Sequence, residues 1–346
     1  MSTYRQGRSP MHTVFAVSRR ASRAGARVAA HSRLIDALLV TVALIWGTSY
    51  GVVKGALLIY PVLGLLALRF GITCVVLSPA LRVLVSLPRA AIARVVGASL
   101  LMLGIFLAET FGVSLTHASN AAFLISLCVV LTPLIEWAWL KRAPRPIEWI
   151  AAGLSLFGAL LLGGGFAFTP GDGLMVLAAA LRALSACASK RVMKANAVPP
   201  LTLTAAQACI VSLGCIVLGL ALAHGSGHGH GHGHWPPLPG WTGHGAFWGS
   251  IAYLVVGCTV FAFFVQNYAV SRSSPTRVAL LMGSEPMFGA LFACLWLGER
   301  MSVIGWIGGT LIVVASLLAV GFERTVSANG TRDARDESDA RRRVAA

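Results

Sequence analysis

Of the 346 residues, 56% are hydrophobic and only 12% are charged, and the mean hydropathy is +0.76. A soluble domain averages about 25% charged residues, so composition excludes a water-soluble enzyme or binding module and predicts an all-α integral membrane protein. The net charge of +16 does not mark a nucleic-acid binder. Seven arginines lie within residues 1–33 and six within 324–343, which is how cytoplasmic anchors flank a membrane core, and no soluble domain is left to present a nucleic-acid fold.

Residues 1–33 are rich in Arg, Ser and Ala and contain no acid. They read as a disordered cytoplasmic tail, with a transit peptide or an overlong start as the alternatives. No secretory signal is visible, because the first long apolar run, 34–53, is already long enough to span. Ten spans are predicted, at about 34–56, 61–81, 94–116, 119–140, 147–166, 172–190, 200–223, 246–270, 276–297 and 303–321. Each approaches the length a ~30 Å hydrocarbon core demands at about 1.5 Å per residue. One set of loops holds Arg82, Arg89 and Arg94, then Lys141, Arg142 and Arg145, then Lys190, Arg191 and Lys194, then Arg272 and Arg277. The alternate set holds almost no base beyond Arg300. Basic residues favour the cytoplasmic side. Both ends, including the charged tail 322–346, are therefore predicted on the cytoplasmic side of the cell membrane, a bacterial inner membrane, and an even helix count follows.

The halves repeat. Asp36 and Lys54 match Asp172 and Lys190 at an offset of 136, and Pro61 and Arg69 match Pro199 and Gln207 at 138. Ser119, Pro133 and Gly153 match Ser273, Pro286 and Gly308 at 154, 153 and 155. Slowly drifting offsets are the trace of a duplication. Repeats at 34–166 and 172–321 each hold five helices, so the two copies must have opposite topology. Inverted repeats around a midplane site mark secondary transporters.

Candidate site residues follow from charge and polarity placed inside apolar runs. Trp46-Gly47-Thr48-Ser49-Tyr50-Gly51 contains the nucleophile-elbow spacing, but within an apolar helix rather than a strand-turn-helix. Its Gly47, Gly51 and Gly55 instead have the spacing that lets helix backbones approach closely. Arg69 and Glu109 lie at matching depths in helices 2 and 3, either as a structural ion pair or as a substrate or proton site. Arg182 and Glu285 lie near mid-membrane in helices 6 and 9, where a pair is geometrically allowed. Gln207, Gln266 and Asn267 either line a cavity or hydrogen-bond across helices. Pro133 and Pro286 should bend helices 4 and 9. Glu136 lies close enough to the inner surface to reach water. The seven cysteines, Cys74, Cys128, Cys187, Cys209, Cys215, Cys258 and Cys294, all sit in apolar runs and read as small core residues rather than a disulfide framework or metal site.

The last two runs, 278–297 and 303–320, form a hairpin around a very short turn. The pair Ser273-Ser274, then Glu285-Pro286, Leu297-Gly298-Glu299 and the run IGGTLIVVAS at 307–316 resemble the second half of an EamA-type domain, the repeated unit of the drug/metabolite transporter superfamily. A weaker likeness covers about 36–321. The resemblance implies a central cavity lined by helices 1–4 and 6–9, with helices 5 and 10 at the periphery. It implies no nucleotide hydrolysis, and no Walker motif is present. WGTSY looks like the family's first-helix motif, whose aromatic residue faces the substrate route; this adds Trp46, Ser49 and Tyr50 to the pathway. Arg182 departs from the family, which more often has an aromatic or small residue there. A charge pair in the cavity favours a polar or ionic substrate.

The outer loop 224–245 is outside the family pattern. His224, His228, His230, His232, His234 and His244 offer imidazoles that suit zinc, nickel or copper, with modest affinity because intervening glycines fix no geometry; the alternative is a plain flexible linker. No other cofactor is expected. The sequence therefore predicts a transporter that exports a small metabolite, such as an amino acid, a related polar compound or a drug, with a proton or counter-substrate as coupling partner. The alternative is a non-transporting membrane sensor or metal-binding protein that uses the histidine loop. An intramembrane enzyme lacks a credible catalytic pair.

Overall fold

The computed structural model describes residues 10–116, 118–163, 169–196, 198–225, 237–296 and 302–318. All regular structure among them is helical. In chain order the helices are α1 (Pro10–Leu57), α2 (Val62–Leu77) with a 3-10 segment at Ser78–Ser86, α3 (Arg89–Leu115), α4 (Ala118–Ile125), α5 (Cys128–Leu140), α6 (Pro146–Gly163), α7 (Pro170–Asn196) and α8 (Pro200–Gly225). There follow α9 (Gly245–Val255), a π-helical turn (Val256–Phe261), α10 (Ala262–Arg272), α11 (Pro275–Met282) and α12 (Glu285–Trp296), then α13 (Val303–Leu318). The chain divides into two compact units, Met1–Leu38 and Leu39–Ala346. Within the first, the described residues are the leading part of α1; the second carries all the other helices.

Among the described residues, seven stretches are long and apolar enough to cross a membrane: Ser32–Leu57, Val62–Ser86, Arg89–Leu115, Phe123–Leu140, Pro170–Ala195, Pro200–Leu222 and Gly245–Arg272. Pro146–Leu161 and Val303–Leu318 are shorter apolar helices. The chain is a multi-pass membrane protein. Proline sets many of the helix starts. α6, α7, α8 and α11 begin on Pro146, Pro170, Pro200 and Pro275, where the missing N–H costs nothing and the fixed φ suits the first turn.

Three of the apolar runs are interrupted. Pro286 has no N–H to give the carbonyl four residues earlier, that of Met282; α11 ends at Met282 and α12 starts at Glu285. Helix 4 is broken between Ile125 and Cys128, upstream of Pro133, which lies inside α5. The third interruption, the π-helical turn at Val256–Phe261, had no proline to announce it.

Small residues let the backbones close up. A methyl group on Gly47 would lie 2.6 Å from the Glu285 carbonyl oxygen and 2.8 Å from the Gly289 nitrogen, so α1 and α12 touch main chain to main chain. α6 and α13 meet in the same way at Gly158 and Gly308. One expectation is overturned here. Cys74 of α2 and Cys209 of α8 form a disulfide, with Cα atoms 5.0 Å apart. Both lie in uniformly apolar runs, and only the packing of α2 against α8 brings them together. Cys128, Cys187, Cys215, Cys258 and Cys294 carry free thiols.

Candidate functional site

The site is assembled around Arg182, which α7 carries into the interior. Its Nη1 donates to Glu285 Oε2 at 3.0 Å. The other Glu285 oxygen accepts from the Tyr50 hydroxyl at 2.7 Å, so the carboxylate is fixed on both sides at the start of α12. Arg182 Nη2 lies 3.9 Å from Glu109 Oε2 on α3, an ion-pair distance at which that oxygen makes no hydrogen bond. One guanidinium is therefore shared unequally by two carboxylates. Its Cζ lies over the Trp46 ring, 4.6 Å from the ring centre, within cation–π range.

Arg69 and Glu109 were candidates for pairing with each other. The structure instead turns Glu109 toward Arg182 and gives Arg69 to the π-helical turn: its Nε donates to Thr259 Oγ1 at 2.7 Å and its Nη2 to the Cys258 carbonyl at 3.3 Å. That carbonyl also accepts from Trp46 Nε1 at 3.0 Å. A π-turn unpairs main-chain carbonyls, which is why such turns recur at functional sites. Phe70, Phe106 and Phe263 form an aromatic wall with Trp46, with ring centres 4.5 to 5.6 Å apart. Two arginines and two carboxylates balance in charge, as burial in a membrane protein requires.

Three cavities meet at Arg182. The first, about 30 Å³, is lined by Cys128, Thr132, Gln266, Pro275, Glu285 and Pro286 among others. The second, about 20 Å³, reaches Glu109, Ser185, Ser189, Gln266 and Asn267. The third, about 30 Å³, takes in Ser49, Tyr50, Val53, Arg69, Glu109 and Glu285. Each has room for about one water molecule and none for a metabolite. Ser49 donates back to the Trp46 carbonyl at 2.8 Å. Gln207 and Asn267 act together across α8 and α10: Asn267 Nδ2 donates to Gln207 Oε1 and to Thr204 Oγ1, both at 3.0 Å.

The comparisons with known proteins bear on this arrangement. The family model described as the EamA-like transporter family matches the chain twice, over residues 33–164 and 169–321. The chain belongs to the EamA-like transporter family. It is similar to an uncharacterized transporter of Archaeoglobus fulgidus, 33% identical over 69 residues, covering 20% of this chain and 24% of the relative. It is also similar to the uncharacterized transporter YwfM of Bacillus subtilis, 26% identical over 198 residues, covering 55% of this chain and 60% of YwfM. The matched stretches thus span about a quarter and three-fifths of those relatives. A solved crystal structure shares the fold, with a TM-score of 0.66 at 20% identity, over 85% of this chain and 99% of that one.

Within this EamA-like chain, other ties escaped sequence reasoning. Glu136 was expected to reach water. It is 2% exposed, because its Oε2 accepts from the Thr276 main-chain N–H at 3.0 Å, from Thr276 Oγ1 at 2.5 Å and from Arg142 Nη1 at 3.3 Å. Arg142 also donates to Glu148 at 2.6 Å. Burial lowers the affinity of Arg142 for its proton, but the Glu148 and Glu136 carboxylates outweigh burial and hold it above the ordinary arginine range. The clue available was only that an acid lay six residues from each side of Arg142. Of the loop histidines, His228, His230, His232 and His234 lie outside the described residues, as does the side chain of His224. His244 is exposed at the start of α9. Among the described residues no three His, Cys, Asp or Glu side chains are grouped to hold a metal ion.

Proposed function

We propose that this chain is a secondary transporter that exports a small polar or ionic metabolite across a bacterial inner membrane. The route runs past Arg182, between two inverted five-helix repeats at 34–166 and 172–321. The observation that carries the reading is the part-buried guanidinium shared by Glu285 and Glu109 at the junction of three cavities. A static brace needs one carboxylate at hydrogen-bond distance. A second held at 3.9 Å is a group that an anionic part of a substrate displaces at small cost, or that a coupling proton neutralises. The inverted arrangement is supported by the meeting of Trp46 with Arg182, since these positions correspond between the repeats at the 136-residue offset. Both termini are placed in the cytoplasm and the histidine loop outside by the basic loops.

The test is uptake by purified protein in sealed liposomes, offering pooled amino acids, related polar compounds and drugs, with and without a pH gradient or internal counter-substrate. Saturable uptake that is lost in Arg182→Ala is expected. Deleting residues 225–233 should leave it intact, since the Gly-His tract belongs to an outer loop that is not part of the family pattern. Failure of every pool, together with metal binding that vanishes on deletion, would favour the sensor reading.

A further inference from the structure

We propose that Lys54 and Lys190 are the two gating residues of the transport cycle, each holding one mouth of the Arg182 cavity shut. The inference rests on the transporter reading and adds to it a device at each end of the route.

The two lysines, which correspond at the 136-residue offset, each donate to the carbonyl of a residue that ends a helix. Lys54 Nζ donates to the carbonyl of Thr116 at 3.2 Å, and Thr116 is the residue that ends α3. Lys190 Nζ donates to the carbonyl of Ser273 at 2.8 Å, and Ser273 is the residue that ends α10. It also donates to the Ser271 carbonyl at 3.0 Å. The two helix-ending residues have nearly the same extended backbone, φ −131° and ψ 173° at Thr116 against φ −128° and ψ −179° at Ser273. A cation at a helix C-terminus satisfies carbonyls that the helix leaves unpaired and complements its dipole. Each bond is thus favourable yet breakable, because water or another donor can replace the ammonium.

The two bonds lie at opposite ends. Thr116 Oγ1 donates to Asp172 at 2.6 Å, so the start of α7 lies beside the Lys54 bond. Lys190 lies eighteen residues further along α7, about 27 Å away at 1.5 Å per residue. Between them, eight residues from each lysine, the Arg182 guanidinium lies over the Trp46 ring. Each bond also lies within two residues, along the chain, of a residue that lines its own cavity. Val53, next to Lys54, lines the cavity with Tyr50 and Arg69. Pro275, two residues beyond Ser273, lines the cavity with Cys128 and Thr132. At the Lys190 end, Glu136 adds a second fastening by receiving the first turn of α11 through Thr276. With both lysines bonded, none of the three cavities at Arg182 admits more than about one water. Passage therefore needs one end to open, and alternating access needs the ends to open in turn.

The test reads the two ends separately and needs neither a substrate nor transport. Native Cys128 reports on the Lys190 end, and Val53→Cys reports on the Lys54 end. Purified full-length protein in detergent is treated with a cationic methanethiosulfonate, and the rate at each position is read by mass spectrometry of the peptides. Lys190→Met should raise the Cys128 rate at least fivefold and leave the residue-53 rate unchanged or lower. Lys54→Met should do the reverse. Lys190→Arg, which keeps a donor, should stay near wild type. If a methionine variant does not purify as a folded protein, Lys190→Gln and Lys54→Gln should give the same opposed pattern at smaller amplitude. The proposal is overturned if both variants raise both rates alike, which is general loosening, or if neither rate moves. Failure of liposome transport with an opposed labelling pattern would strike the transport reading and leave the two-gate device standing.

Discussion

Removing Arg182 tests the central charge cluster most directly. Arg182→Ala leaves the buried Glu285 and the part-buried Glu109 without their shared cation, and breaking a buried pair from one side costs about 3–5 kcal/mol. The two carboxylates should not count equally. At an effective dielectric of about 20, a unit pair attracts by about 5.5 kcal/mol at the 3.0 Å of Glu285 and about 4.3 kcal/mol at the 3.9 Å of Glu109. Only Glu285 adds a direct charge-assisted hydrogen bond, worth about 1.5–3 kcal/mol. In double-mutant cycles the Arg182–Glu285 coupling should therefore lie near the top of the usual range of about 0.5–3 kcal/mol, and the Arg182–Glu109 coupling near the bottom. Glu285→Gln and Glu109→Gln are suitable partners, because each keeps the side chain's size while removing its charge, and at position 285 the amide oxygen still accepts from Tyr50. The assay is unfolding of the purified variants in mixed micelles, with liposome uptake alongside. Equal couplings would mean that Arg182 is centred between the carboxylates, and strictly additive losses that the residues act independently; either result refutes the unequal sharing.

Two further outcomes follow from packing and charge. Gly47→Ala should lower stability by about 1–3 kcal/mol, because its methyl would meet the α12 backbone, whereas Gly55→Ala, with nothing within 4 Å, should be close to neutral; thermal unfolding of the two variants decides it, and an equal response would refute the close approach. For topology, Ala143→Cys and Gly240→Cys, both at exposed positions, should differ in intact cells, with an impermeant thiol reagent reaching only residue 240; labelling of both from outside would sink the proposed orientation.

The sequence by itself determined that this is a multi-pass helical membrane protein, where most spans lie, and which residues bring charge into them. Those conclusions need only composition and position along the chain, since a run of about 20 apolar residues has one stable environment. It also placed Arg182 and Glu285 at like depth and matched Lys54 with Lys190. What it left open was partnership. Depth is one coordinate, whereas choosing among Arg69, Arg182, Glu109 and Glu285 requires the rotation of each helix and its neighbours. In soluble proteins a polar face reports that rotation. Here lipid and core are equally apolar, so the pattern around a helix such as α2, α3 or α8 carries little of it. Only the tertiary structure therefore decided that Glu109 turns to Arg182, that Arg69 serves the π-turn at Cys258 and Thr259, and that Glu136 is drawn under α11. The Cys74–Cys209 bond escaped for the same reason: two cysteines in uniformly apolar runs become partners only once α2 lies against α8.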